Sequence, residues 1–205
     1  FPYPGLPETI GLLDRARITW SVDDPLTFDD AWFDLARKLN HVFTASRGSV
    51  ARYHEEGIDH VTWLLPGVDT DLFRNLEEDR RYPVVFVGSN LRDRLSGFQR
   101  ILRPLIERFG RDVHIFGRGW VPNGATLHGP IPWTEIPTVL SRSCVAVNLY
   151  REPARTFDLS PNLRLFESLA CRTFLVSDAM RGLEDVFRDG THLMVANQEN
   201  VVQIV

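Results

Sequence analysis

The chain has few of the residues on which several other classes of protein depend. Only two of its 205 residues are cysteine, Cys144 and Cys171, and both lie in apolar segments. Two thiols are too few for a disulfide framework, so we interpret them as buried free thiols in a reducing compartment. No apolar run approaches the roughly 18 residues of a membrane-spanning helix, and the first residues do not resemble a signal peptide. These absences predict a cytoplasmic protein without a membrane span.

Positive charge is also limited. Lys38 is the only lysine among 23 basic residues, and the net charge is −4. No basic run is present, which argues against nucleic acid as a partner. Arginine is well suited to the forked recognition of phosphate or carboxylate, although genome composition explains its excess equally well.

Short apolar segments alternate with amphipathic helical patterns along the chain. This alternation predicts an α/β fold in which parallel sheets carry helices on both faces. Strands are predicted at 18–22, 41–45, 60–65, 84–87, 113–116, 144–149, 173–176 and 192–195, with a short one after 126. Helices are predicted at 29–39, 46–56, 98–109, 133–141, 160–171 and 182–187, with a loop over the site at 150–159.

The domain organisation follows from a polar run at 74–81, which we interpret as a linker. It would separate a first domain, 1–73, from a second domain, 82–205. The chain begins with Phe1 and stops inside a predicted helix, so we expect a fragment whose N-terminal domain is incomplete.

Residues 160–178 have the clearest functional pattern. Ser160 is a good helix N-cap, and Pro161 suits the first helical position. Apolar residues then recur at helical spacing, and a buried strand follows. The start of such a helix has free N–H groups and a positive dipole end, which suit a diphosphate. Glu167 could then accept hydrogen bonds from nucleotide sugar hydroxyls, the alternative being a simple cap and a solvated glutamate.

The same region resembles a known family. An Asn-x-Arg-x-Phe-Glu-x-Leu-Ala-Cys segment ends at Cys171, and an apolar strand and Gly-Leu-Glu-Asp-Val-Phe, from Gly182 to Phe187, follow it. This order resembles the C-terminal domain of GT-B glycosyltransferases (glycosyl transferase group 1), most of all the group related to the spore maturation protein CgeB. The resemblance extends more weakly from about Ile18 onward. It implies two Rossmann-like domains, the first for an acceptor and the second for a nucleotide-diphosphate sugar.

The resemblance also implies roles for individual residues. The matching glutamate, Glu167, would bind the ribose, and the backbone at the helix start would bind the diphosphate. The donor contacts implied in this way are Gly88, Ser89, Gly117, Trp120, Ile131, Ser160, Asn162, Leu163 and Glu167. The backbone at Ile131 would hold the base edge, and Trp120 would either stack on the base or be a structural tryptophan. No metal and no cofactor besides the donor are implied.

Two positions depart from the family pattern. Arg172 replaces the glycine that usually follows the Ala-Cys pair, and Leu159 replaces a second glutamate that many members carry. Asp158 is the nearest acid that could take the place of this glutamate. Both departures favour the alternative of a nucleotide-binding or interaction domain that has lost catalysis.

The catalytic candidates are Asp23, Arg94 and Arg164. Asp23 and Asp24 follow a predicted strand, at the sheet edge where α/β proteins bind ligands. Neighbouring strand residues face opposite ways, so the two carboxylates would not share one metal ion. We expect Asp24 to cap a turn and Asp23 to be solvated or, if one of the two is catalytic, Asp23 to deprotonate an acceptor hydroxyl. Arg94 or Arg164, with helix N–H groups, would stabilise the leaving diphosphate.

The function predicted from the sequence is a metal-independent glycosyltransferase, hexosyltransferase-like, acting on a glycan, a small molecule or a protein. A nucleotide-sugar epimerase on the same fold is the other enzymatic alternative, because it would keep the nucleotide site and use acids and histidines in the cleft. We interpret His114, His128 and His192 as structural, since their spacing is not that of metal ligands. Fold alone does not decide among these functions.

Overall fold

The computed structural model describes residues 15–205, which form two parallel sheets. The smaller sheet has the order β1-β2-β3, and the larger sheet has the order β6-β5-β4-β7-β8-β9. The strands are β1 (Ile18–Ser21), β2 (His41–Thr44), β3 (Val61–Trp63), β4 (Tyr82–Val87), β5 (Val113–Phe116), β6 (Thr126–Gly129), β7 (Ser143–Asn148), β8 (Phe174–Asp178) and β9 (Met194–Ala196). The predicted α/β class with parallel sheets is confirmed.

The order in which the chain adds strands to the larger sheet reverses at β4. From β4 the chain adds β5 and β6 on one side, then crosses back and adds β7, β8 and β9 on the other side. In such an open sheet the crossover connections leave a crevice at the carboxyl ends of the two central strands. Ligands bind in this crevice in α/β proteins generally, so the topology places a site beside the ends of β4 and β7.

The α-helices of the described residues lie between the strands in the chain. They are α1 (Asp30–Ala36), α2 (Ser49–Glu55), α3 (Leu95–Gly97), α4 (Arg103–Phe109), α5 (Ile136–Ser141), α6 (Glu152–Thr156), α7 (Leu163–Ala170) and α8 (Val201–Ile204). None of the helices in this part of the chain is both long and apolar enough to cross a membrane.

Apolar side chains of β4 pack on both faces of the larger sheet. Val84 and Phe86 join a core with Ile101 and Leu105 on one face. On the other face Val85 packs in a core that includes residues of α5 and α7. Successive strand residues point to opposite faces, so a continuous apolar run is required where both faces are covered. This run therefore buries β4 at the centre of the sheet.

The helix predicted at 98–109 is divided. A π-helical turn, Phe98–Leu102, lies between α3 and α4. Pro104 is in the first turn of α4, where its missing N–H breaks the regular i to i−4 pattern. Widening of the preceding turn accommodates the proline ring, which is the physical reason for the irregularity.

The N-terminus of α7 differs from the prediction. Asn162, not Ser160, is the N-cap, and its side chain accepts a hydrogen bond from the Leu165 N–H. The buried Ser160 hydroxyl instead donates to the backbone carbonyl of Asp24, at 2.8 Å. Asparagine caps as well as serine, so the local sequence offered two starts and this distant contact selected the second.

Residues 150–159, predicted to be a loop, contain the short helix α6. Arg151 pairs with Asp93, and Glu152 pairs with Arg100, so charges on the segment after β4 hold α6 in place. The absence of apolar periodicity concealed this helix, because its stabilising contacts are ionic and distant in sequence.

We call the smaller sheet with its helices, residues 18–63, the smaller unit, and the larger sheet with its helices, residues 82–204, the larger unit. The segment between β3 and β4 packs against the larger unit. Phe73 is almost fully buried in the same core as Val85 and Leu165. The division into 1–73, a linker at 74–81 and 82–205 stays a prediction.

Candidate functional site

A cleft of about 340 Å³ lies at the carboxyl ends of β4 and β7. The smaller unit contributes Val22 and Asp23 to its wall. The residues contributed by the larger unit are Phe86, Val87, Gly88, Arg94, Trp133, Asn148, Leu149, Asn162, Leu163, Arg164 and Glu167. The cleft is thus built where the two units meet, at the crevice that the strand order creates.

A second cleft of about 250 Å³ adjoins the first and shares Val87, Gly88 and Arg164 with it. Its other wall residues are Ser89, Phe116, Gly117, Arg118, Pro130, Ile131 and Ile136. The two clefts together form one elongated depression that crosses the ends of β4, β5 and β6.

Two arginines with little exposure face the first cleft. Burial lowers the pKa of Arg94, and the nearby charges of Arg151 and Arg164 lower it further. Burial also lowers the pKa of Arg164, although Glu167 opposes this effect. The Nε of Arg94 is buried without a hydrogen-bond partner among the described residues. An anion entering the cleft would relieve the repulsion and supply partners, so the electrostatics favour a phosphate group there.

Glu167 is the buried carboxylate of the cleft, with 5% of its surface exposed. One carboxylate oxygen pairs with Arg164, three residues earlier on α7. The other lies 3.4 Å from the indole nitrogen of Trp133. Glu167 thus lies on α7, five residues after the N-cap Asn162, and lines the first cleft.

The neighbouring aspartates have different environments. Asp24 is buried and accepts hydrogen bonds from the hydroxyls of Ser21, Thr27, Thr44 and Tyr53, at distances between 2.5 and 2.8 Å. Asp23 is exposed and lines the cleft. Asp24 thus organises the end of the smaller sheet, and Asp23 is the aspartate available to a ligand.

Close backbone packing shapes the loops after β4 and β5. A Cβ added at Gly117 would overlap the carbonyl oxygen of Gly88, so the two loops meet only because Gly117 is a glycine. The carbonyl oxygen of Ser89 accepts a hydrogen bond from Arg94, at 3.2 Å. The predicted contacts Gly88, Ser89 and Gly117 are therefore adjacent in space.

Two of the predicted contacts lie outside these clefts. The Trp120 indole packs against Phe86 and Phe98 and donates to the Gly88 carbonyl at 2.8 Å. This environment supports a structural tryptophan, the alternative to base stacking. Ser160, whose hydroxyl contacts Asp24, is likewise not on the wall of either cleft.

Asp158, the acid considered as a substitute for a second glutamate, is also not on these walls. It forms hydrogen bonds of 2.7 and 3.0 Å to Arg47 of the smaller unit. The side chain of Leu159 is fully buried. In the described residues the acids that line the first cleft are therefore Asp23 and Glu167.

Trp133 and Asn148 were missed by the sequence analysis. Trp133 is 54% exposed at the edge of the cleft, and the Asn148 side chain is buried with an unpartnered Oδ1. An asparagine at the carboxyl end of a buried strand was a usable signal, because ligands of open α/β sheets bind at that edge. For Trp133 no local signal existed, since its neighbour Glu167 lies 34 residues further along the chain.

Two of the histidines interpreted as structural meet in the larger sheet. His114 and His128, on the adjacent strands β5 and β6, form a ring-to-ring hydrogen bond of 2.8 Å. His192 is not part of this pair. Within residues 15–205, no three His, Cys, Asp or Glu side chains come together in a way that could hold a metal ion.

A family described as glycosyl transferase-like matches residues 92–205, more than half of the chain. The chain belongs to this glycosyl transferase-like family. The matched range contains Arg94, Trp133, Arg164 and Glu167, whereas Asp23 and Gly88 lie before it. No match is found among curated proteins.

Several solved structures have the same fold. HepE (Alr3699) from Anabaena, solved with UDP and glucose, superposes with a TM-score of 0.68 and 13% identity over 91% of this glycosyl transferase-like chain. The pneumococcal O-GlcNAc transferase GtfA, solved with UDP and GlcNAc, has a TM-score of 0.58 and 13% identity over 85% of it. Sucrose-phosphate synthase from Thermosynechococcus elongatus has a TM-score of 0.55 and 16% identity over 88% of it. At such identities the likeness establishes the fold.

The glycosyl transferase-like chain spans only part of these proteins. It covers 60% of the HepE chain, 38% of GtfA and 53% of sucrose-phosphate synthase. The predicted two-unit GT-B architecture is confirmed by these superpositions.

Proposed function

We propose that the chain is a glycosyltransferase that takes a sugar from a nucleotide-diphosphate sugar and transfers it to an acceptor hydroxyl. The observation that carries this proposal is the pair of poorly exposed arginines, Arg94 and Arg164, facing a cleft at the strand crossover. A family assignment to glycosyl transferase-like proteins agrees with it. Assignment to the CgeB-like group remains part of the proposal.

The donor diphosphate would lie between the two arginines and the start of α7. Arg94 and Arg164 supply charged donors, and the start of α7, at Asn162 and Leu163, lines the same cleft. The side chain of Asn162 is occupied by the cap and by the Leu149 carbonyl, so its contribution would be to fix the helix start. These groups are preorganised for the charge that develops on the leaving diphosphate.

The nucleoside would extend from the first cleft into the second. Glu167 would accept hydrogen bonds from the ribose hydroxyls, and the backbone near Ile131 would hold the base. Uracil is the first base to test, because HepE and GtfA were solved with UDP.

Asp23 would act as the base on the acceptor side. The acceptor oxygen would bond to the anomeric carbon, whose bond to the diphosphate oxygen breaks, and the acceptor proton would pass to the Asp23 carboxylate. Because Arg94 and Arg164 would carry the electrostatic stabilisation, the proposal requires no metal ion.

Calorimetric titration of uridine, guanosine, adenosine and thymidine diphosphates, with and without Mg²⁺, tests the donor site. We expect one of them to bind equally well without Mg²⁺. Glu167→Gln should weaken that binding about tenfold, the value of a hydrogen bond to a charged group. Glu199→Gln, an exposed acid outside both clefts, is the matched control.

Product analysis distinguishes the enzymatic alternatives. A transferase forms product only with an acceptor, whereas an epimerase converts the nucleotide sugar alone. Asp23→Asn should retain nucleotide binding and lose turnover. If a folded sample binds none of the four nucleotides, the donor site and the proposed function are both wrong.

A further inference from the structure

Trp133 has an unusual environment for a large aromatic residue. Trp133 is the first residue of the short helical turn Trp133–Glu135. The residue lies at the edge of the first cleft, and 54% of its surface is exposed. Phe73 packs against one part of the ring, with ring centroids 5.4 Å apart. The indole is therefore held in place from behind while much of its apolar surface remains open.

The polar end of the same indole reaches the buried carboxylate of the site. The Trp133 Nε1 lies 3.4 Å from one oxygen of Glu167, and Arg164 pairs with the other oxygen. Each oxygen of the carboxylate thus has its own donor, and the donors come from different elements. Two separate donors fix the rotation of a carboxylate, which one donor alone leaves free.

We propose that Trp133 is a positioning residue, which holds Glu167 in the orientation that receives the ribose hydroxyls of a nucleoside diphosphate. This inference rests on the proposed function, because it assumes that Glu167 binds the ribose. The indole N–H sets the direction of the remaining lone pairs of Glu167, and the exposed ring covers the ribose once the nucleotide is bound. Trp133 therefore determines how strongly the site distinguishes a ribose from a sugar without hydroxyls.

The predicted effects on nucleotide binding distinguish a lost orientation of Glu167 from a general loss of packing around Trp133. Trp133→Phe removes the N–H and keeps an aromatic ring against Phe73, so the fold is expected to persist. UDP binding should weaken about tenfold, which corresponds to one hydrogen bond to a charged group. The analogue 2′,3′-dideoxy-UDP has no ribose hydroxyls for Glu167, so its affinity should change by less than about twofold.

The experiment is calorimetric titration of UDP and 2′,3′-dideoxy-UDP into the unaltered protein, Trp133→Phe, Glu167→Gln and the double variant. If another base binds more tightly in the titration described above, the same pair of nucleotides with that base is used. Trp20→Phe is the matched control, since Trp20 is 42% exposed but lies outside the cleft wall. Thermal unfolding of every variant checks that it is folded.

The outcomes decide between the two proposals. A reduced preference for UDP over its dideoxy analogue in Trp133→Phe, with no further reduction in the double variant, supports the inference. Equal weakening of both nucleotides in Trp133→Phe overturns it, because Trp133 would then act only through packing. Failure of the unaltered protein to bind any nucleoside diphosphate overturns the proposed function itself.

Discussion

Asp24 accepts four hydroxyl hydrogen bonds, and only 1% of its surface is exposed. Burial and the charge of Asp24 raise the pKa of one of its donors, Tyr53. The next residue toward the N-terminus, Asp23, is in solvent at the cleft. Two identical side chains therefore have different roles because the chain turns after β1, with the Leu26 N–H donating to the Asp23 carbonyl, and this turn buries Asp24 while Asp23 stays exposed.

Gly117 is the residue at which the site is most sensitive to a small substitution. Gly117→Ala should lower the free energy of unfolding by about 1–3 kcal/mol, because the new methyl group overlaps the Gly88 carbonyl and must displace the loop. Nucleotide binding should weaken as well, since Gly88 and Ser89 would move away from Arg94. Chemical denaturation and nucleotide titration measure the two effects.

Gly67→Ala is the matched control for this prediction. A Cβ at Gly67 meets no atom within 4 Å, so this substitution should leave both measurements almost unchanged. Equal tolerance of alanine at the two positions would contradict the argument.

At the scale of elements, β5 and β6 are joined by the stacked rings of His114 and His128. Burial lowers the pKa of both rings, and the charge of His128 lowers that of His114 further. The hydrogen bond requires one ring to donate and the other to accept, so protonation of both rings breaks it, and burial disfavours the charged form of each ring. Protonation disfavours this contact at the edge of the larger sheet.

The free energy of unfolding should decrease in mild acid because of the His114–His128 pair. The unfolded histidines take up protons near their ordinary pKa of about 6.5, above the lowered pKa values of the folded pair. The stabilisation is therefore complete above that pH and decreases as the pH falls below it. Denaturant midpoints at pH 7.5 and 5.5 should differ less in His128→Gln than in the unaltered protein.

The exposed residue His54, in the last turn of α2, provides the control for the histidine pair. His54→Gln should leave the pH dependence as it is. A pH dependence that His128→Gln does not reduce would show that other groups cause it.

At the scale of the whole molecule, Arg47 connects the smaller unit to the larger one. It donates hydrogen bonds to Asp158 and Asp185, and its backbone N–H donates to the Leu159 carbonyl at 3.0 Å. Phe157 also contacts Phe28 of the smaller unit, with ring centroids 6.3 Å apart. Phe157, Asp158 and Leu159 lie just before α7, so their contacts set the relation between the acceptor side of the cleft and the helix start.

Arg47→Ala should lower the free energy of unfolding by about 1 kcal/mol at pH 7, a modest effect because the ion pairs are partly exposed. The hydrogen bonds from Arg47 lower the pKa of Asp158 below its usual range. The stabilisation is present above the unfolded aspartate value of about 3.9 and decreases as the pH falls through the folded value. Denaturation at pH 7 and at pH 3.5 should show a smaller difference between variant and parent in acid.

Arg52→Ala is the control for the contact between units. Arg52 pairs with Glu55 and Glu56 of its own segment, so its loss should not affect the relation of the two units. Nucleotide binding should therefore weaken in Arg47→Ala and stay the same in Arg52→Ala. Weaker nucleotide binding in Arg52→Ala than in Arg47→Ala would contradict the role assigned to Arg47.

Periodicity and local chemistry determined much of the fold. The apolar run at β4 and the alternation of strands and helices predict parallel sheets, because these patterns reflect burial of each element by itself. The helix predicted at 46–56 is followed by Gly57, and in the structure Gly57 comes after α2 with φ of 74°, a conformation that commonly ends helices. Local reasoning also singled out Asp23, which follows a predicted strand, and Glu167, on the helix that follows a good cap, and both line the first cleft.

Only the tertiary structure decided which of these residues meet. The choice of Asn162 over Ser160 as the helix cap, the presence of α6 and the Trp133–Glu167 contact each depend on residues distant in sequence. Trp120 and Asp158 lie outside the clefts for the same reason, because each is held by a partner that is distant in sequence. A sequence pattern reports which side of an element is buried, whereas the partner that covers that side is set by how the strands are ordered and packed.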